Sequence, residues 1–289
     1  MLSDLEVGFV GLGDMGGAMA ERIVDGGLPL TVFDLRAAAV NTLVSQGAKP
    51  AASVAELATG SDVVVVCVID DRQVLDVVRD LSGSLRAGAV VVVASSVRPE
   101  TIHEVVALVS GDGVDVVDAP VAGSRPAVAA GALTLMLGGD ADVIARIMPV
   151  LETFGGRIFH VGGHGAGQAM KIANNIMLHM NHLVALEALR FARSQGIEEA
   201  KLLEVVNAGS GRSWVTETWG LIDQMLRDHP QAGTPGIYDM MVKEMWNAVM
   251  LSKVTQTALP LTGLGVQVGK SLLIERERTL GIAPAEERR

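Results

Sequence analysis

The stretch VGFVGLGDMGGAMAERI, Val7 to Ile23, constrains the fold more than any other part of the chain. Val7–Val10 is short, apolar and β-favouring, while Met15, Met19 and Ile23 recur every four residues and so share one face of a helix. Between them lie Gly11, Gly13 and Gly16 at G-x-G-x-x-G spacing. The first permits a sharp turn, the second lets a ligand approach the backbone, and the third lets helix and strand pack closely. A helix that begins at such a turn aims free N–H groups and the positive end of its dipole at its occupant, which suits an anion such as a pyrophosphate.

In a chain with 33 glycines the same spacing also describes a plain glycine-rich turn. The following residues decide between the two. LPLTVFDLR reads as a second strand ending in Asp34, where an acidic side chain meets the ribose hydroxyls of an adenosine. Strand, turn, helix, strand and acid in that order predict a nicotinamide dinucleotide site built on Gly11, Leu12, Gly13, Asp14, Met15, Gly16 and Asp34. Asp34 favours NAD, because it accepts from a ribose 2′-OH and repels a 2′-phosphate. Arg36, two residues on, keeps NADP as the alternative.

Apolar runs recur at Val7–Val10, Leu30–Asp34, Val63–Ile69, Val90–Ser95 and Val114–Val121, with helical stretches between the earlier ones. This alternation predicts a parallel sheet with helices on both faces, and Leu133–Gly138 and Arg157–Val161 extend it. GGHGAG then interrupts the pattern. From Gln168 to Gln195 there is neither Gly nor Pro, and Met170, Ala173, Met177, Met180 and Val184 step by three and four, so this segment reads as one long helix. IEEAKLLEVVNAG, SWVTETWGLIDQML and YDMMVKEMWNAVMLSKV continue in the helical pattern, and APAEERR reads as a frayed tail. The expected fold is α/β: an N-terminal doubly wound Rossmann domain over residues 1–163, then an all-α C-terminal domain over 164–289, joined by the long helix.

Charge and cysteine usage narrow the partners. A net charge of −10 with no run of Lys and Arg argues against nucleic acid. No apolar stretch reaches the roughly 18 residues needed to span a bilayer, and no signal pattern precedes the first strand. The single cysteine, Cys67, lies in the apolar run DVVVVCVI and reads as a buried, inert thiol. A cytoplasmic chain fits these features.

In doubly wound sheets ligands bind beyond the carboxyl ends of the strands, which directs attention to Gly11–Gly16, Asp34–Arg36, Ile69–Asp71, Ser95–Val97 and DAPVAGSRP. Ser95 and Ser96 suit a ribose or a nicotinamide amide, or equally a helix cap before Pro99. The turn at Gly123, with Ser124 and Arg125, offers N–H groups, a hydroxyl and a guanidinium to a small anion, although Arg125 beside Pro126 also fits a solvent-facing rim. Lys171 and Asn175, four apart, share a helix face with Asn174 turned aside; on spacing alone a solvated surface explains them. His179 and His182 lack an acidic or cysteine partner at ligand spacing, so no metal is expected. Trp214, Trp219 and Trp246 read as helix packing.

Four blocks in order, GLGDMG, DAPVAGS, GAGQAMKIANN and more loosely VKEMWNA, resemble the β-hydroxyacid dehydrogenase family, which includes 3-hydroxyisobutyrate dehydrogenase and tartronate semialdehyde reductase. The resemblance covers essentially the whole chain. It implies that Lys171 is the general acid/base, that Asn175 holds the substrate, that Ser96 touches the nicotinamide side, and that Lys243 helps close the site over the cofactor; Ile69, at the end of its strand run, is a cofactor candidate by position alone. The family pattern S-G-G is replaced by Ala122, Gly123 and Ser124, followed by Arg125, which leaves the carboxylate grip to Ser124 or Arg125 or implies a substrate without the usual acid. Glu244 stands where the family has Asp. The reading is therefore an NAD-dependent dehydrogenase of a small β-hydroxyacid or related alcohol. An imine reductase-like enzyme and a non-catalytic dinucleotide-binding module are the alternatives, and Lys171 argues against both. The apolar faces of the later helices also predict a homodimer or higher homo-oligomer.

Overall fold

The computed structural model describes residues 5–228 and 237–282. Two compact units emerge, Met1–Lys171 and Ile172–Arg289. The first contains β1 (Val7–Val10), α1 (Asp14–Asp25), β2 (Leu30–Phe33), α2 (Ala37–Ser45), β3 (Lys49–Pro50), α3 (Val54–Thr59), β4 (Val63–Val66), α4 (Asp71–Leu81), β5 (Val90–Val93) and α5 (Pro99–Val109). It continues with β6 (Asp115–Asp118), β7 (Val121–Ala122), α6 (Arg125–Ala129), β8 (Leu133–Gly138), α7 (Ala141–Leu151), β9 (Gly155–Gly162) and the start of α8 (Ala166–Ser194). The strand order is β3-β2-β1-β4-β5-β6, all parallel, after which β8 runs antiparallel to β6 and β7 and parallel to β9.

The valine runs follow from burial on both faces of this sheet. Phe9, Val63, Val65, Val90 and Val92 face one apolar core, and Val10, Val64, Val66, Val91 and Val93 face the other. With no solvated face, these strands show no polar alternation. β1 fills its apolar run, whereas β4 and β5 end earlier than theirs. β4 stops at Val66 and β5 at Val93, where the paired register between the two strands ends. The expected all-parallel extension is corrected at Val114–Val121. After β6 the chain turns at Ala119–Pro120 into a separate β7 that pairs antiparallel with β8.

The second unit is helical: the remainder of α8, then α9 (Glu199–Ala208), α10 (Trp214–Glu217), α11 (Leu221–Asp228), α12 (Ile237–Thr255) and α13 (Pro260–Thr279). SWVTETWGLIDQML, expected as one helical stretch, is broken into α10 and α11 where Gly220 takes φ +91°. Leu183 and Leu186 of α8 pack with Met241, Met245, Leu272 and Leu273 as its core. Among the described residues no helix is long and apolar enough to cross a membrane. The tail APAEERR lies outside the described residues.

Candidate functional site

The first glycine turn is built as its spacing requires. Gly11 has φ +95°, and a Cβ there would stand 2.2 Å from the Cys67 carbonyl oxygen. A Cβ on Gly16 would lie 2.0 Å from the Gly11 carbonyl oxygen, so helix α1 can sit against the turn only with glycine in both places. Gly13 faces open space. It is the N-cap residue of α1, and no side chain caps that helix. The uncapped N-terminus of a 12-residue helix, opening onto free space at Gly13, fits a pyrophosphate. Leu12 is buried, and Asp14 in the first turn is exposed beside the partly buried Met15.

Asp34 follows β2 directly. Its Oδ2 accepts the Leu12 N–H at 2.7 Å, and its Oδ1 accepts the Arg36 backbone N–H at 2.8 Å and Arg36 Nε at 3.1 Å. Arg36 Nη2 also donates to the Leu12 carbonyl at 2.9 Å and to Asp34 Oδ2 at 3.3 Å. Burial works to raise the carboxyl's pKa, and the bonds from Arg36 and Leu12 outweigh it and hold the group below its ordinary value. Asp34 is thus ionised and tied to the glycine turn, with the Arg36 guanidinium lying against it. Ile69 and Leu35, both largely exposed, stand at the ends of the neighbouring strand runs.

Ser95 and Ser96 part company. Ser95 is buried, and its Oγ accepts the Val68 N–H at 2.8 Å, tying together the loops after β4 and β5. Ser96 is exposed at the strand ends. Neither caps α5, whose N-cap residue is Arg98. The cap reading fails because Pro99 sets the helix start one residue after Arg98. Cys67 is partly buried as a residue, and desolvation pushes its thiol up to about 12, so it carries no thiolate.

In the loop after β6, Ala122 is half-buried in β7 and Gly123 is exposed with φ +144°. Ser124 is the half-buried N-cap residue of α6, and Arg125 is exposed. At the start of α8, Lys171 is half-buried and Asn175 one turn later is buried, while Asn174 is exposed. Asn174 Nδ2 donates to Asn175 Oδ1 at 3.2 Å.

Two groups that sequence reasoning passed over organise this helix start. Asp118, the last residue of β6, and Gln168, in the first turn of α8, are both fully buried. Asp118 accepts two N–H bonds from that turn, and Gln168 bonds back to the loop after β5. The signal was present in both cases, as an acid closing an apolar run and an amide inside the G-x-G-x-x-x-K block, but neither type marks its partner in sequence.

In the second unit, the His179–His182 pair has an acidic neighbour after all. Glu244 of α12 brings Oε2 to 2.6 Å from His179 Nε2, from 65 residues away in sequence. Among the described residues no group of three His, Cys, Asp or Glu side chains is placed to hold a metal. His182 stacks on Trp219 at 5.8 Å, and burial pushes its pKa down to about 4. The packing assignment of the tryptophans holds for Trp219, which also receives Arg276 at 5.2 Å from its ring centroid. It is corrected for Trp214 and Trp246, which are 53% and 52% exposed, each with one side of its ring open to water. Lys243 is exposed on α12.

A family model described as the NAD binding domain of 6-phosphogluconate dehydrogenase matches residues 6–162. A second, the NAD-binding region of NADP-dependent 3-hydroxyisobutyrate dehydrogenase, matches residues 165–280. The chain is 32% identical to 2-(hydroxymethyl)glutarate dehydrogenase of Eubacterium barkeri, covering 96% of this chain and 93% of that one. It is 34% identical to 3-hydroxyisobutyrate dehydrogenase of Pseudomonas aeruginosa, covering 90% and 89%. Among solved structures, Mycobacterium tuberculosis 3-hydroxyisobutyrate dehydrogenase with L-serine is similar at a TM-score of 0.84 and 26% identity, covering 92% of each chain. An imine reductase from Myxococcus stipitatus, at 20% identity and a TM-score of 0.68, shares the fold alone.

Proposed function

The chain belongs to the β-hydroxyacid dehydrogenase family, and from that premise we propose that it oxidises a small β-hydroxyacid or related alcohol, with Lys171 as the general acid/base. The observation that carries this reading is Lys171 itself, half-buried one turn before the buried Asn175 on a helix whose first turn is held by Asp118 and Gln168. Identity to hydroxyacid dehydrogenases exceeds that to the imine reductases, which favours alcohol and carbonyl chemistry. The division of labour we assign is a cofactor domain over 1–163 and a substrate and dimerisation domain over 164–289.

A nicotinamide dinucleotide, when bound, supplies the hydride acceptor. The residues that would hold it are the Gly11–Gly16 turn with Leu12, Asp14 and Met15, together with Asp34, Ile69, Ser96 and Lys243. Asp34 accepts ribose hydroxyls and disfavours a 2′-phosphate, so NAD is the preferred form. Lys171 takes the proton from the substrate hydroxyl and returns it in the reverse direction. Asn175 hydrogen-bonds the substrate. Ser124 and Arg125 take over its anionic group from the serine that Ala122 replaces, with Gly123 opening the loop; a guanidinium engages a carboxylate or sulfonate through paired, charge-assisted bonds.

We also infer a homodimer or higher homo-oligomer. Met170, Met177, Val184 and Phe191 lie seven residues apart along α8 and are 45%, 64%, 58% and 69% exposed, a stripe that a lone chain leaves in water. The cytoplasm suits the chain, since its one thiol is neither paired nor activated.

The test of the activity is a screen of small hydroxyacids, sulfonates and uncharged alcohols followed by NADH absorbance. NAD-dependent turnover of at least one hydroxyacid is expected. Turnover confined to imines would overturn the reading.

A further inference from the structure

We infer that Asp118 and Gln168 are positioning residues that set the place of Lys171 by locking the first turn of α8 to the ends of β5 and β6. The inference rests on the reading of Lys171 as the proton-transfer group.

The lock has two halves. Asp118 closes β6, and its two oxygens are divided between the helix amides: Oδ1 accepts the Gly165 N–H at 2.8 Å and Oδ2 accepts the Gln168 N–H at 3.0 Å. These are orphan donors of a helix start, which no intrahelical carbonyl reaches. Gln168 completes the link in the other direction. Its Oε1 accepts the Val97 N–H at 3.0 Å and its Nε2 donates to the Ser95 carbonyl at 2.8 Å. One side chain thus spans a donor and an acceptor in the loop after β5, and that loop is held in turn to the one after β4 through Ser95 Oγ and the Val68 N–H.

The backbone has been cleared to admit the carboxylate. A Cβ on Gly138 would stand 2.4 Å from Asp118 Oδ1, and one on Gly167 would stand 2.7 Å from Asp118 Oδ2 and 2.3 Å from the Met136 carbonyl oxygen. Helix and acid can meet only with glycine at both places, which gives Gly167 of the G-x-G-x-x-x-K block a physical reason.

Four bonds at two fully buried side chains fix both the height and the rotation of α8 where it leaves the sheet. Lys171 lies three residues beyond Gln168, less than one turn along, so an error in the phase of that turn is transmitted to the lysine with little room to relax. A displacement of about 1 Å in a reacting group costs on the order of 100-fold in rate. A general anchoring role would instead change only the fraction of folded molecules.

The experiment compares Asp118→Asn, Gln168→Met and Lys171→Ala with the wild type. Asn keeps one acceptor and turns an NH2 toward the other helix amide, while Met keeps the length of Gln and removes both of its bonds. Turnover of 3-hydroxyisobutyrate, or of the best hydroxyacid from the screen, is measured per folded molecule, alongside NADH affinity by fluorescence. The deuterium isotope effect on kcat is measured with substrate labelled at the hydride-donating carbon. Hydrogen exchange of residues 165–171 is followed in the cofactor-free protein. For Asp118→Asn and Gln168→Met we expect kcat about 10- to 100-fold lower, NADH affinity within about two-fold of wild type, a larger isotope effect and faster exchange over 165–171. Wild-type kcat per folded molecule in Gln168→Met overturns the inference, and this variant decides the matter if Asp118→Asn fails to fold. Full turnover in Lys171→Ala would instead overturn the lysine assignment on which the inference rests.

Discussion

The carboxylate of Asp34 accepts the backbone N–H of Leu12 at 2.7 Å, so the acid at the end of the second strand is physically part of the glycine turn that follows the first. The two motifs recognised separately in sequence are one hydrogen-bonded object. Arg36 adds three contacts to the same carboxylate, and a carboxylate offers about four lone-pair sites. A ribose that uses Asp34 must therefore displace part of the Arg36 guanidinium, and this sets up the first prediction.

Cofactor choice depends on both residues. The wild type is expected to show a higher kcat/KM with NAD than with NADP. Arg36→Ala should leave NAD use intact or improved, by freeing the Asp34 oxygens, and should lower NADP use further. Equal kcat/KM values for the two cofactors in the wild type would refute the role of Asp34.

Lys171→Ala is expected to lower kcat by about 100-fold or more, the range for losing a general acid/base, with NADH affinity nearly unchanged. Steady-state rates and fluorescence titration on the folded variant measure the two effects separately.

Arg125 is exposed, so its contribution to fold stability is small. Arg125→Met, which keeps the aliphatic stem and removes the charge, should raise KM for an acidic substrate at least about ten-fold, the loss of a charge-assisted contact. Uncharged alcohols should be little affected. An unchanged KM for the best acidic substrate would redirect attention to neutral substrates.

Light scattering at micromolar concentration should give at least twice the 30.2 kDa of one chain. Replacing Met177 and Val184, exposed on α8, with Lys should lower that mass while leaving the helical circular dichroism intact. A monomeric wild type contradicts the proposal.

Acid should weaken the helical unit in two steps. His182 is buried neutral with its pKa pushed down from 6.5 to about 4, so the unfolded chain binds the extra proton first and stability falls as pH drops from 6.5 toward 4. Glu199 is held at about 2 instead of its ordinary 4.5, chiefly by hydrogen bonds from Arg276, and its contribution is present above 4.5 and fades as pH falls toward 2. Thermal melts against pH should show a flatter upper step in His182→Phe and a flatter lower step in Glu199→Gln. Wild-type pH dependence in either variant would contradict that assignment.

Much of this molecule was legible in one dimension because its signals are local. The turn at Gly11–Gly16, the valine strands and the long helix depend on backbone conformation and on apolar periodicity within a few residues, and all appear at nearly the expected positions. Strand ends were less legible, since the apolar runs at Val63–Ile69 and Val90–Ser95 continue past the last paired residue, and pairing is a property of the neighbouring strand.

What only the tertiary structure decided is which polar groups meet. Asp118 reaches Gln168 across 50 residues, Glu244 reaches His179 across 65, and Arg276 reaches Glu199 across 77. A buried hydrogen bond needs two groups at about 3 Å, and no periodicity in the chain encodes a distance between residues that far apart. The sequence by itself determined the dinucleotide-binding architecture and the lysine on the long helix. Folding determined the hydrogen bonds that hold the first turn of that helix to the sheet.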